Sequence, residues 1–124
     1  MLQVTEIAFS CYAVTDLPRA RAFYEGVLGL KPTSVTDSPD AKWVEYAFGP
    51  YALAIGSAPG WKPSADGCTV ALEVRDFDAA IAHLKASQVP FRMEPFPTPV
   101  CRMAMVSDPD GNTLCIHKRN PGHA

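Results

Sequence analysis

The sequence predicts an α+β fold made of two tandem β-α-β-β-β units that form a half-open barrel with a concave pocket. Two observations support this prediction. A well-bounded amphipathic helix near the start of the chain has a shortened copy in the second half. Around each helix, β-prone stretches follow the same order, one before the helix and three after it. With 124 residues, the chain is long enough for one domain (residues 1–124, halves about 1–57 and 67–118) with its own core.

The first helix has clear start and stop signals. Asp16 is a good N-cap, because its carboxylate can accept the free N–H groups of the first turn. Pro18 falls in that first turn, where a missing N–H costs little. Gly29 can adopt the left-handed conformation that ends a helix. The apolar side chains between these signals recur at helical spacing; they are Ala20, Phe23, Tyr24, Val27 and Leu28.

The second helix repeats the first in shorter form. Val74-Arg75-Asp76-Phe77 matches Val14-Thr15-Asp16-Leu17, and Ala80 matches Ala20. The apolar face of this copy consists of Phe77, Ala80, Ile81 and Leu84. The repeat indicates two related units.

The strands follow from β-prone stretches and from turn residues between them. In the first half we predict strands at residues 3–13, 33–36, 42–48 and 51–55, with turns at 37–40 and at Gly49-Pro50. Residues 56–67 are rich in Gly, Pro and Ser and are interpreted as a linker. In the second half we predict strands at 68–74, 91–93, 101–106 and 112–117, a helix at 76–87, a turn at 108–111 and a frayed tail at 120–124. The prolines at 95, 97 and 99 predict an extended loop that cannot join a central ladder.

Composition and charge exclude several classes of function. A net charge of −2 with scattered basic residues gives no reason to expect a nucleic acid or a membrane as partner. The chain has no basic segment followed by an apolar stretch at its start, so we expect a cytoplasmic protein without a signal peptide. Four widely spaced cysteines match no zinc pattern and are expected to be reduced thiols; they are Cys11, Cys68, Cys101 and Cys115.

Four motifs, in this order and at these separations, carry a resemblance to a known family. They are Val14-Thr15-Asp16-Leu17, Ala22-Phe23-Tyr24, Val27-Leu28-Gly29-Leu30 and Asp108-Pro109-Asp110-Gly111-Asn112. The sequence resembles the vicinal oxygen chelate superfamily, which includes glyoxalase I, bleomycin-binding proteins, extradiol dioxygenases and fosfomycin-resistance enzymes. The resemblance covers nearly the whole chain. It implies the tandem fold and a homodimer, whose halves could pair within one chain or be exchanged between two.

The resemblance also implies where a metal would bind. In the metal-dependent members, four inner-face side chains, usually His, Glu or Gln, bind one divalent cation. The matching positions here are Phe9, Ala54, Thr69 and Cys115. Only Cys115 is a good ligand, and one thiol with one hydroxyl does not offset the dehydration of a divalent ion. We therefore expect a member with no metal and no cofactor.

Strand alternation around these positions gives the remaining inner face. The set is apolar and soft, with a few polar groups, as expected for a pocket that takes a small organic ligand. The predicted ligand-binding residues are Phe9, Cys11, Trp43, Glu45, Thr69, Glu73, Cys101, Met103, Met105, Cys115 and His117.

Several of these residues also have plainer interpretations. Met103 and Met105 are typical of side chains that fill an irregular core. Cys11 and Cys101 are typical small buried hydrophobes. A carboxylate on an inward face needs a partner, so Glu45 and Glu73 could equally form ordinary salt bridges with arginine 92 or 102.

Catalytic residues stay open, with Glu45, Cys115 and His117 as candidates. A Cys–His pair can act as a thiolate nucleophile with its base. Side chains two apart on a strand, however, lie roughly 7 Å apart, which is long for a hydrogen bond. The sequence therefore favours a metal-free small-molecule-binding protein with an unidentified ligand. The alternatives are a lyase or dioxygenase of the same superfamily with an atypical metal or Cys/His site, and an interaction protein without a ligand.

Overall fold

The computed structural model describes residues 1–3, 5–39 and 41–122. The chain divides into two compact units, with the boundary between Pro63 and Ser64. Each unit contains one mixed four-stranded sheet and one helical segment. The α+β class and the tandem arrangement are therefore confirmed.

The first unit has the predicted element order. Its sheet runs in the order β1-β4-β3-β2, with β1 parallel to β4 and the other neighbours antiparallel. The helix α1 continues directly into a wider π-helical turn. The bounds are β1 Ser10–Ala13, α1 Leu17–Arg21, π-helical turn Ala22–Val27, β2 Ser34–Asp37, β3 Lys42–Phe48 and β4 Tyr51–Ser57.

The predicted helix signals act as expected. The Asp16 carboxylate accepts the N–H of Arg19 at 3.1 Å, and Gly29 adopts φ 77° just beyond the helical segment. The π-helical turn carries Tyr24, whose fully buried ring stacks on Tyr46 of β3 with 6.2 Å between ring centroids. Tyr46 in turn donates its hydroxyl to Glu25 at 3.0 Å. These contacts fix the helical segment against one face of the sheet.

The second unit repeats this architecture. Its sheet runs in the order β5-β8-β7-β6, again with one parallel pair (β5 with β8). Asp76 caps the helix by accepting the N–H of Ala79 at 3.0 Å. The bounds are β5 Val70–Glu73, α2 Phe77–Ala86, β6 Phe91–Pro97, β7 Cys101–Ser107 and β8 Thr113–Arg119.

The predicted turn before β8 is confirmed. Asp108 is buried, and its carboxylate accepts the N–H groups of Asp110 and Asn112 and the side-chain amide of Asn112, all at 2.8–2.9 Å. Gly111 has φ 84°, as the turn requires. Asn112 also accepts the backbone N–H of Ser64 at 3.1 Å, which ties the start of this unit to the turn.

The first strand is much shorter than predicted. Only Ser10–Ala13 pair with β4, from Leu53 onward, and no strand pairs with the described residues before Ser10. Ile7 is accordingly 81% exposed. Val4, also in the predicted strand, lies outside the described residues. In the predicted turn at 37–40, Asp37 is instead the last residue of β2, and Asp40 lies outside the described residues.

The prediction of an extended proline-rich loop at residues 95–99 is also wrong in part. β6 extends through two of the three prolines, Pro95 and Pro97. This is possible because β6 is the edge strand of its sheet, so a missing N–H on the open side costs no ladder bond.

β4 and β8 each run two residues further than predicted, and β5 begins only at Val70. The predicted tail is described to Gly122; His123 and Ala124 lie outside the described residues. No helix among the described residues is long and apolar enough to cross a membrane.

Candidate functional site

In the first unit, the strand register gathers four predicted residues on the face of the sheet away from α1. Cys11 and Glu45 both lie beside Ala54 of the central strand β4, and Trp43 lies opposite Gly56. Phe9 precedes β1 but contacts the ring of Trp43. The opposite face carries the buried side chains that pack toward the helical segment; they are Tyr12, Val44, Tyr46, Leu53 and Ile55.

An aromatic cluster (Phe9, Trp43 and Trp61) dominates this face. Phe9 meets Trp43 edge-on with 5.2 Å between centroids, and Trp43 meets Trp61 at 6.1 Å. Trp61 follows β4 and is held by a turn in which its N–H donates to Ala58 at 3.1 Å. Phe9 is 47% exposed and Trp61 48% exposed, so about half of these side chains remains open to a ligand.

The cluster depends on a glycine. A Cβ atom on Gly56 would lie 2.9 Å from Cε3 of Trp43 and 3.0 Å from Cζ3 of Trp61. Both distances are well below the ordinary carbon–carbon contact of about 3.5–4.0 Å. The indoles therefore rest directly on the backbone of β4, and any larger residue at position 56 would push them away.

Glu45 supplies the charge of this site. Its Oε2 accepts the indole N–H of Trp43 at 2.9 Å. No lysine or arginine within the described ranges pairs with it, and its salt bridge with Arg92 or Arg102, which the sequence left open, does not form. Burial, together with the Glu45 charge, raises the pKa of the Cys11 thiol to about 11, so this thiol stays protonated at neutral pH.

In the second unit, six predicted residues share the sheet face away from α2. β7 places Met103 opposite His117 and Met105 opposite Cys115. β5 places Glu73 beside His117, while Cys101 occupies the same face at the start of β7. Thr69 lies just before β5.

A polar group forms at the end of β8. Nδ1 of His117 lies 2.6 Å from Oε1 of Glu73, and the backbone N–H of Arg119 donates to Oε2 at 2.8 Å. Burial opposes ionisation of Glu73, but the Arg119 N–H and the His117 ring outweigh it and lower the pKa of this carboxyl. Neither arginine expected from the sequence pairs with Glu73, since Arg92 bonds to Thr113 and Arg102 to Asp78. The arginine that does pair with it is Arg119, whose Nη1 lies 3.8 Å from Oε1.

The cysteines of this unit are not arranged as nucleophiles. Cys115 is 2% exposed, and its thiol faces the carbonyl of Ile116 at 3.7 Å rather than His117. Burial and the neighbouring Cys101 raise the pKa of the Cys115 thiol. Cys101 is buried against the Thr98 hydroxyl at 3.0 Å. The predicted Cys115–His117 pair therefore makes no direct hydrogen bond.

The metal positions implied by the resemblance do not fit a divalent cation. In the first unit, Phe9 and Ala54 carry no donor atom at all. In the second, Thr69 offers one hydroxyl and Cys115 a buried thiol with a raised pKa. Across the described ranges, no three or more His, Cys, Asp or Glu side chains are grouped so that they could hold a metal ion.

Sequence reasoning missed three residues of these surfaces. Trp61 lies in the stretch that composition predicts to be a linker, although a large apolar side chain in such a stretch favours a packed position over a linker. Gly56 was assigned to the same linker but belongs to β4. Arg119 was outside the predicted last strand, and it supplies the backbone N–H that binds Glu73.

Comparison with known proteins identifies the family of this chain. The sequence profile of the Glyoxalase/Bleomycin resistance protein/Dioxygenase superfamily matches residues 4–116. The chain belongs to this superfamily. Comparison with curated proteins gives no significant match.

Solved structures share the fold of this superfamily member. TnmS3, an antibiotic binding protein from Streptomyces sp. CB03234, is 24% identical with a TM-score of 0.81, over 97% of this chain and 100% of its own. A superfamily member from Sphaerobacter thermophilus DSM 20745 is 26% identical with a TM-score of 0.77, over 94% and 99%. A glyoxalase/bleomycin resistance protein from Streptomyces sp. CB03234 is 26% identical with a TM-score of 0.69, over 87% and 97%.

Proposed function

We propose that this protein binds a small organic molecule without a metal ion, and that the ligand places a planar aromatic group on the aromatic cluster. The observation that carries the proposal is the contact of Trp43 with three partners: the rings of Phe9 and Trp61, and the Glu45 carboxylate that accepts its indole N–H. Phe9 and Trp61 are half exposed and both contact Trp43, so the cluster offers a preformed surface. A planar ligand gains about 0.5–1.5 kcal/mol for each aromatic pair beyond the area it buries.

The charge of Glu45 favours a ligand with a positive group. Among the described residues, this partly buried carboxylate has one neutral donor, the Trp43 indole N–H, and its charge is therefore incompletely compensated. A cation beside it would gain both the Coulombic attraction and a cation–π contact with the indoles. We therefore propose a planar aromatic cation as the preferred class.

The comparisons support this proposal at the level of the fold. TnmS3 is described as an antibiotic binding protein, and its chain is covered completely by the likeness. A small-molecule-binding role for the present chain is consistent with that neighbour.

Tryptophan fluorescence offers a direct test, because both tryptophans of the chain belong to the cluster. The probes are proflavine, a planar aromatic cation, and 2-naphthalenesulfonate, a planar anion. We expect proflavine to quench the tryptophan emission and the quenching to saturate at one proflavine per chain. We expect the anion to bind more weakly. Calorimetry measures both affinities. Trp43→Ala is expected to weaken proflavine binding about 2- to 12-fold.

Tyr51→Ala is the matched control, because Tyr51 is an exposed aromatic residue that makes no ring contact with the cluster. It should leave the affinity unchanged. Equal losses in Trp43→Ala and Tyr51→Ala, or equal binding of the two probes, would contradict the proposal.

A second candidate function, a lyase, is favoured by one observation, the 2.6 Å contact between His117 and Glu73. With Nδ1–H donated to the carboxylate, Nε2 is left as a proton acceptor, the arrangement that general-base histidines use. The test is solvent-deuterium incorporation at the α-carbon of small hydroxy ketones, followed by NMR. Exchange that is lost in His117→Gln and Glu73→Gln supports an enzyme, and its absence in the parent protein argues against one.

We also propose a homodimer in the cytoplasm. The exposed apolar side chain of Ile7 lies shortly before an edge strand, β1, whose outer side is open in its own sheet. All four cysteines are free thiols, as expected in a reducing compartment. Sedimentation equilibrium tests the dimer: a monomer at micromolar concentration would contradict it.

A further inference from the structure

A cavity of about 330 Å³, widely open to solvent, is lined entirely by residues of the second unit. The segment that precedes β5 forms one wall, and strands β6, β7 and β8 form the rest. Its volume is at the lower end of the range for small-molecule pockets. None of its lining residues belongs to the aromatic cluster, so this cavity requires its own explanation.

A β-bulge in β6 turns the positively charged side chain of Arg92 into the cavity. Phe91 pairs with Val106 and Met93 with Met105, so two residues of β6 advance against one of β7. In a regular strand, Arg92 and Met93 would point to opposite faces. The extra residue re-aims a side chain, and both Arg92 and Met93 line the cavity as a result.

Arg92 is held in place by one nitrogen only. Its Nη1 donates to the Ala65 carbonyl at 3.0 Å and to the Thr113 hydroxyl at 2.8 Å, and that hydroxyl donates to the same carbonyl at 2.8 Å. A guanidinium has five N–H donors. The three on Nε and Nη2 make no hydrogen bond to any residue that the structure describes.

The nearest carboxylate does not compensate this charge. Oδ1 of Asp66 lies 3.9 Å from Nη2, beyond hydrogen-bond distance, and the Asp66 side chain is 92% exposed. An exposed pair at this distance is worth little, because water and salt screen it. The guanidinium is anchored through Nη1, which leaves its Nε and Nη2 donors available in a cavity that Met93 and Met105 also line.

We propose that this cavity binds a small carboxylate with an apolar body. The carboxylate accepts the Nε and Nη2 donors of Arg92 as a bidentate pair, the geometry that arginine matches best. The apolar part lies against Met93 and Met105, whose flexible side chains adapt to its shape. This inference and the proposed function stand on different residues, so the failure of one leaves the other intact.

The test is calorimetric titration with hexanoate, with hexanamide as its neutral counterpart and inorganic phosphate as an anion without an apolar body. We expect hexanoate to bind at least tenfold more tightly than either. Arg92→Gln should weaken hexanoate at least tenfold. Arg102→Gln is the matched control, since Arg102 lies in the same sheet but pairs with Asp78.

Methyl resonances of the methionines locate the bound probe independently of any variant. Hexanoate should shift the methyl signals of Met93 and Met105. The inference is overturned if hexanoate does not bind, if hexanamide binds as tightly, if Arg92→Gln and Arg102→Gln lower the affinity equally, or if neither methyl signal moves.

Discussion

Replacing Gly56 by alanine tests the way the aromatic cluster is built. The new Cβ would lie 2.9 Å from Cε3 and 3.2 Å from Cζ3 of Trp43, and 3.0 Å from Cζ3 of Trp61. To restore contacts of about 3.5 Å, both rings must retreat by roughly half an ångström. Trp61 is half exposed and can move, but Trp43 is also bound to Glu45 at 2.9 Å and packed against Phe9.

The expected cost follows from this constraint. Overpacking at a well-packed site costs about 1–3 kcal/mol. Stretching the Trp43–Glu45 hydrogen bond has a cost within the same range, because a hydrogen bond to a charged group contributes about 1.5–3 kcal/mol in full. We expect Gly56→Ala to lower the free energy of unfolding by about 1–3 kcal/mol and to weaken proflavine binding, as measured by urea unfolding and by calorimetry.

Gly26→Ala is the matched control. Gly26 lies in the π-helical turn, and a Cβ there would meet no atom within 4 Å. This substitution should be neutral or stabilise the protein by up to about 1 kcal/mol. If Gly56→Ala unfolds at the same urea concentration as the parent protein and binds proflavine equally well, the indoles do not rest on β4 as described.

Three further predictions concern charge, turn and thiols. The Arg21 guanidinium lowers the pKa of Glu25 below its ordinary value of 4.5, so this carboxylate stabilises the fold above that pH and loses its contribution as the pH falls further; Glu25→Gln should be less stable at pH 7 and should show a flatter acid limb in urea unfolding followed from pH 7 to 3. Asp108→Ala leaves buried donors of Asn112 without their acceptor and should cost about 1–3 kcal/mol in the same assay, and an unchanged midpoint would refute this role. Cys68 is the exposed thiol, so native protein should show one fast-reacting thiol with Ellman's reagent that disappears in Cys68→Ser; two fast thiols would contradict the described burial.

The helix starts and the turns were predicted well, because contacts between residues close in the sequence determine them. Asp16 and Asp76 act as N-caps, and Gly29 and Gly111 have positive φ where a helix end and a turn need it. Strand ends were less predictable, because pairing partners decide where a strand stops. Residues 5–9 have strand character, but they pair with no strand that the structure describes.

The sequence predicts which side chains share a face of each sheet, but not which of those side chains bond to one another. Alternation correctly grouped Trp43 with Glu45 on one sheet and Glu73 with His117 on the other. Which charges pair depends on register and on bulges. The bulge in β6 is invisible to alternation, and it turns Arg92 toward Thr113 instead of toward a glutamate. Trp61 joins Trp43 through a loop turn that composition alone described as a linker.

The most direct measurement of the central claim is a two-dimensional ¹H–¹⁵N spectrum recorded during titration with proflavine. The chain has two tryptophans, so two indole N–H signals report on the cluster. The signal of Trp43 should lie downfield in the free protein because its N–H donates to Glu45, and it should move upfield in Glu45→Gln. Proflavine should shift both indole signals with one common saturation curve. If both signals stay fixed while proflavine binds elsewhere or not at all, the aromatic cluster is not the ligand site.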